Sequence, residues 1–245
     1  MVGHALYREL APYYDRLYGG KDYAAEAREI LVRARGRLGH RSRSLLDVAC
    51  GTGRHLSEFR RSVPDLAGVD LSPEMLRVAR RTLGRGVPLV RGDLRSFDLG
   101  RTFETVVCLF GAFGYLSTRR DRDRAMARMF AHLVPGGVAM VEGWILPDRW
   151  KGRHVSLLTY DGTEVKIARM SESRRQGERS IIEMRYLVGV PGRPVRTYLE
   201  RHENRLLRPA EVLGSFRRAG FRADAVLTGR HRDRGLYIGR RPGVK

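Results

Sequence analysis

The stretch Leu45-Leu46-Asp47-Val48-Ala49-Cys50-Gly51-Thr52-Gly53-Arg54-His55-Leu56 runs from an apolar strand through a glycine turn into a helix start. A nucleotide-binding α/β fold opens in that order. Gly51 and Gly53 have no Cβ, so the chain turns tightly and its amides can lie closer to a ligand than other residue types permit. A dinucleotide site calls for a third glycine three residues on, under a pyrophosphate, and Leu56 stands there. The spacing points away from NAD. Taken alone, the turn is equally an ordinary strand-to-helix connection.

Two later strand ends add to it. Leu66-Ala67-Gly68-Val69-Asp70 ends in a carboxylate at the spacing that reaches ribose hydroxyls. Ser72-Pro73-Glu74 then reads as a helix start, with Ser72 as N-cap and Pro73 in the first turn. Pro88 to Leu94 gives a third strand, and its end carries Asp93. Tyr23 to Leu38 predicts a leading helix, and the aromatic-rich Tyr7 to Gly20 before it reads as a flap. Met126, Met129, Phe130 and Leu133 recur at helical spacing and predict a helix ending at Pro135-Gly136-Gly137. Strands alternating with helices mean an α/β class protein, a Rossmann-like doubly wound sheet. Its ligand should lie past the carboxyl ends of the strands, where the glycine turn, Asp70, Asp93 and the Phe110 to Leu116 loop converge.

The pattern changes after Trp150. His154 to Tyr160, Thr163 to Arg169, Arg179 to Val190 and Val195 to His202 read as strands joined at Asp161-Gly162, Gln176-Gly177 and Pro191-Gly192. Ile182, Met184, Tyr186 and Val188 alternate, which gives one packed face. This antiparallel insertion is expected to roof an acceptor site. Pro209 opens a helix closed by Gly220, and strands at Arg222 to Leu227 and Leu236 to Gly239 finish the sheet. The expected divisions are 1–40, a flap and helix; 41–150, the ligand-binding core; 151–206, the insertion; and 207–245, the closing helix and strands.

At 245 residues, 42% hydrophobic and 30% charged, the chain can bury one substantial core. Its longest apolar run, Val106 to Leu116, is too short and glycine-broken to span a bilayer, and no signal peptide precedes Ala5. A cytoplasmic protein is expected. Cys50 and Cys108 lack metal-ligand spacing and read as small buried hydrophobes; no metal is expected. The net charge of +20 favours nucleic acid as a partner. Against it, every basic residue except Lys21, Lys151, Lys166 and Lys245 is an arginine, and the arginines are spread along the chain and mixed with acids, as in Arg119-Arg120-Asp121-Arg122-Asp123-Arg124. Solvated helix faces account for most of them, so neither nucleic acid nor membrane is expected as a partner.

From Ser44 to Glu142 these motifs resemble the class I S-adenosylmethionine-dependent methyltransferases. The resemblance implies a mostly parallel seven-stranded sheet with S-adenosyl-L-methionine bound by Tyr23, Asp47, Ala49, Gly51, Asp70, Met75, Asp93 and Leu94. Asp70 would hold the ribose, Asp93 the adenine amino group and Met75 the adenine face; for Met75 a plain core position is the alternative. The missing third glycine fits, because this cofactor has no pyrophosphate.

Tyr14-Asp15, Gly20 to Ala27, the LLDVACGTG loop with His55-Leu56, Gly114-Tyr115-Leu116, Val141-Glu142 with Trp144, and Arg234-Gly235-Leu236 further resemble the TDP-amino-sugar N,N-dimethyltransferases of macrolide antibiotic pathways. By this resemblance Tyr14 and Tyr115 border the acceptor amine, and Glu142, Trp144, Arg175, His202 and Arg234 belong to the nucleotide-sugar site. Two departures fall on the acceptor side: a shorter segment between Tyr14 and Lys21, and Gly143 where the family usually has proline. Methyl transfer from a sulfonium needs alignment more than a strong base. Another small-molecule amine or hydroxyl as acceptor, a nucleic-acid methyltransferase and an inactive cofactor-binding module remain alternatives, and a homodimer is possible.

Overall fold

The computed structural model describes residues 5–243. The first residues of the expected flap, 1–4, and the chain end with Lys245 lie outside the described residues. Short 3-10 turns at Ala5–Tyr7 and Ala11–Tyr13 lead into α1 (Tyr14–Leu17) and α2 (Tyr23–Leu38). There follow β1 (Ser44–Val48), α3 (Arg54–Phe59), β2 (Asp65–Asp70), α4 (Pro73–Leu83), β3 (Leu89–Arg91), β4 (Phe103–Cys108), α5 (Arg119–Ala131) and β5 (Leu133–Glu142). Next come β6 (His154–Asp161), β7 (Lys166–Gln176), β8 (Arg179–Gly189) and β9 (Arg196–Arg205), then α6 (Pro209–Arg218), β10 (Arg222–Val226) and β11 (Leu236–Arg240).

Seven strands form one sheet in the order β10-β11-β5-β4-β1-β2-β3, and only β11 runs against its neighbours. Both faces are covered, as a parallel sheet requires. Leu46, Val48, Val106, Cys108, Ala139 and Val141 pack beneath α5 and α6, while Leu45, Val107, Val138 and Met140 pack beneath α2, α3 and α4. The helix starts have local causes. The Asp22 carboxylate accepts from Ala25 N–H at 2.8 Å to begin α2, and Ser72 Oγ accepts from Met75 N–H at 3.0 Å to begin α4.

The antiparallel sheet, β6-β7-β8-β9, is a meander inserted between β5 and α6. Its inner face carries Ile167, Met184, Tyr186 and Val188, which pack on Leu6, Leu10 and Leu17 of the amino-terminal segment. The stretch read as a flap is therefore a packed wedge.

Two boundaries differ from expectation. The α5 helix stops at Ala131, and Leu133 and Pro135-Gly136-Gly137 belong to β5, where the register shifts between the Phe103 and Thr105 pairings. Pairing with β4 recruits them. Strand β7 runs on to Gln176 through the polar Ser171 to Arg175, because β8 pairs with it over the whole length; apolar alternation could not mark that half. Among the described residues no helix is long and apolar enough to cross a membrane.

Candidate active site

Strands β2 and β3 lie to one side of β1 and β4 to the other, so the carboxyl ends of β1 and β4 flank the switch point. Among the described residues two non-glycine positions take a left-handed backbone, Ala49 at φ +63° and Phe110 at φ +59°, one beyond each of these ends. Such geometry costs about 1–3 kcal/mol and persists only where its surroundings hold it. The Glu142 carboxylate holds Phe110, accepting from its N–H at 2.8 Å.

On the β1 side, Asp70 organises the turn. One carboxylate oxygen accepts from Gly51 N–H at 2.8 Å and the other from Ser72 N–H at 2.9 Å. Burial raises the Asp70 carboxyl above the ordinary range, although these amide bonds oppose it. Burial, and then the Asp70 charge, holds Asp47 well above that range. No cationic side chain contributes at either carboxyl among the described residues. A Cβ built on Gly51 would meet nothing within 4 Å, so there is open space over the turn. A buried and a half-buried carboxyl beside an open glycine ledge fit a ligand that brings hydroxyls and positive charge, as an adenosyl sulfonium amino acid does.

Around this ledge Tyr23 is buried, its ring edge-on to His55 at 4.9 Å. His55 Nε2 lies 2.9 Å from Glu26 Oε2, and Lys21 holds the other oxygen. Burial raises the Glu26 carboxyl, but its bonds to His55 and Lys21 outweigh that and bring it to about 2. The Thr52 hydroxyl donates to Asp15 at 2.6 Å, tying α1 to the turn. Met75 is buried on α4. Arg95 grips both oxygens of Asp93, at 2.8 and 2.6 Å, and holds the carboxyl below its ordinary range. Leu94 packs against the core.

On the β4 side lies a cavity of about 230 Å³, bounded by Tyr7, Tyr14, Tyr18, Phe110, Tyr115 and Trp144 on one wall and by the inner face of the antiparallel sheet on the other. A hydrogen-bonded chain leads out of it. Tyr7 Oη is 2.9 Å from Tyr115 Oη, which is 2.7 Å from His202 Nδ1, and His202 Nε2 is 2.9 Å from Glu200 Oε1. Glu200 is 1% exposed. Its burial raises the carboxyl, but bonds from His202, Leu6 N–H and Tyr186 outweigh this and leave it below the ordinary range. A carboxylate only accepts, so His202 donates from Nε2 to Glu200.

A methyltransferase-domain model matches residues 45–137. Over 233 residues the chain is 42% identical to the dTDP-3-amino-3,4,6-trideoxy-alpha-D-glucopyranose N,N-dimethyltransferase of Streptomyces venezuelae, covering 94% of this chain and 96% of the relative. The chain belongs to the S-adenosylmethionine-dependent sugar N-methyltransferase family. Its fold matches Streptomyces venezuelae DesVI at a TM-score of 0.84, with 39% identity over all of both chains. It also matches S-adenosylmethionine-bound CalS10, an amino pentose methyltransferase from Micromonospora echinaspora, at 0.80 with 37% identity, covering 95% and 96% of the two chains. The cofactor of this methyltransferase is S-adenosyl-L-methionine.

The methyltransferase brings Tyr14, Tyr115, Trp144, His202 and Arg234 together on one cavity, with Glu142 behind Phe110. Arg175 stands apart: its Nε donates to Gly177 O at 2.7 Å and its Nη1 to Pro147 O at 3.0 Å, outside the cavity lining. The glycine at 143 has a local cause. Its N–H donates to Gly235 O at 3.0 Å, which proline could not do, and a Cβ there would lie 2.4 Å from Arg234 O. Sequence reasoning missed Glu200 and Asn204. With His202 they alternate along β9 and are all buried, a period-two polar pattern that marks an inner face as surely as an apolar one.

Proposed function

We propose that this methyltransferase transfers methyl groups, twice, to the amino group of a TDP-linked amino-deoxy sugar held in the cavity between β4 and the antiparallel sheet. The observation that carries the reading is the single cavity that joins the strained Phe110 backbone at the switch point to tyrosine hydroxyls and an arginine-bearing sheet. When bound, the cofactor supplies a methyl group already activated on a sulfonium. Tyr23, Asp47, Ala49, Gly51, Asp70, Met75, Asp93 and Leu94 are assigned to it.

The amine must be unprotonated to attack. Desolvation keeps the Tyr14 hydroxyl, and that of the 36%-exposed Tyr115, above 10, so both stay protonated at neutral pH and orient the amine as hydrogen-bonding groups. Tyr115 passes the departing ammonium proton to His202 Nδ1 while taking one up, and Glu200 holds the imidazole in the accepting tautomer. Trp144, whose Nε1–H donates to Ser180 Oγ at 2.9 Å, walls the cavity, and Arg234 lies over its ring at 5.2 Å. Together they exclude water and align the acceptor.

Incubation with S-adenosylmethionine and a TDP-3-amino-3,6-dideoxyhexose, followed by mass spectrometry, tests the reading. Sequential gain of one and two methyl groups is expected, and no gain with any TDP-amino sugar overturns it. The cytoplasm is the assigned compartment. Val155, Leu157, Met170, Leu187 and Leu199 are exposed on the antiparallel sheet, with Leu157 paired to Met170, and a second copy of the chain is the assigned cover. A monomeric mass in light scattering refutes the dimer.

A further inference from the structure

Arg175, which the resemblance assigns to the nucleotide-sugar site, uses its guanidinium on two backbone carbonyls. Another arginine of β7, Arg169, does face the cavity. Several arginines on or beside this sheet are matched by acids, as Arg174 is by Glu183, Arg153 by Glu172 and Arg205 by Glu178. For Arg169 the contact within hydrogen-bond reach is Tyr18, whose hydroxyl accepts from Nη1 at 3.0 Å and whose ring centre lies 5.6 Å from the guanidinium carbon. Among the described residues its Nε is buried without a partner. Two residues on, along the same face of β7, is Ser171, paired in register with Ser156 of β6; both line the cavity, and among the described residues the buried Ser171 Oγ also lacks a partner. Asn204 Nδ2 is a third buried donor without one. Arg234, the other cation of this cavity, has Glu142 at 3.7 Å, so its charge is already met.

An unmatched guanidinium beside two hydroxyls in a half-enclosed space is costly unless an anion completes it, and a planar fork suits phosphate oxygens. We infer that Arg169, with Ser156 and Ser171, binds the phosphate of a nucleoside-diphosphate acceptor, in the cavity that Tyr14 and Tyr115 also line. The inference rests on the proposed nucleotide-sugar reading and assigns its anion to β7's middle instead of its end.

The test uses the full chain and thymidine diphosphate, which carries no amine, as the calorimetric probe, beside steady-state methylation of a TDP-amino sugar. Arg169→Met should weaken thymidine diphosphate and raise KM by about tenfold or more, the loss of one charge-assisted fork, with kcat much less affected. Arg169→Lys should recover part of the affinity, Arg175→Met should bind as the parent chain does, and S-adenosylmethionine affinity should hold in all three as a check on folding. Unchanged thymidine diphosphate affinity and KM in Arg169→Met, with methylation intact, overturn the inference and leave the function standing. A parent chain that binds thymidine diphosphate but methylates no amino sugar leaves Arg169 standing and overturns the function. A parent chain that binds no thymidine diphosphate overturns the inference.

Discussion

Tyr14 lines the cavity, and Glu200 closes the hydrogen-bonded chain that runs from Tyr7 through Tyr115 and His202. Because burial keeps the Tyr14 hydroxyl protonated, Tyr14→Phe should lower kcat only modestly; a loss approaching about 4 kcal/mol of transition-state stabilisation would mean general-base chemistry at this residue. Glu200 is ionised below the ordinary carboxyl range in the fold. A depressed carboxyl stabilises the fold above its unfolded pKa and loses that contribution as pH falls through the folded one. Glu200→Gln should therefore cost about 1–3 kcal/mol near pH 7 by leaving Leu6 N–H, Tyr186 and His202 poorly paired. In urea melts the gap from the parent chain should narrow as pH drops below about 4.5. The resemblance named Tyr14, Tyr115 and His202 one by one, but the link from Tyr115 through His202 to Glu200 was not legible in the sequence, since contacts between β9 and the 3-10 turn at Ala112–Tyr115 are set by tertiary packing.

The glycine turn shows how an element divides its work between packing and binding. Gly53 has φ +78°, and a Cβ there would lie 2.8 Å from Leu83 Cδ1 and 3.2 Å from Ala79 Cβ, between α3 and α4. Gly53→Ala should cost about 2 kcal/mol and lower the melting temperature. Gly51 has φ +55° with open space before it, so Gly51→Ala should destabilise less, about 1 kcal/mol of backbone strain, yet weaken S-adenosylmethionine binding in calorimetry by filling the ledge. The sequence was most readable at this scale. Tyr23 to Leu38 carries its own N-cap and closes at Gly39 in a left-handed turn, and local chemistry sufficed. It was least readable where pairing with a neighbour decides, as at Leu133 and along Ser171 to Gln176.

Across the whole molecule the acids are taken up in local pairs, among them Arg37 with Asp224, Arg218 with Asp123 and Arg128 with Asp98, and the excess charge of +20 rests on arginines spread along the chain. Oligonucleotides should bind only weakly, release as salt rises, and gain no methyl groups by mass spectrometry; methyl transfer to them would assign the acceptor cavity to nucleic acid. The doubly wound class followed from alternation alone, whereas the seat of the amino-terminal wedge did not, because its 3-10 turns leave no periodic signature. That wedge touches both halves of the enzyme. Its Asp15 meets the glycine turn at Thr52, its Leu6 amide meets Glu200, and its leucines cover Ile167, Met184 and Val188. A protease nick between the wedge and α2 would thus strip two ligands' supports and bare a greasy sheet in one event, so that inactivation and aggregation would keep the same clock.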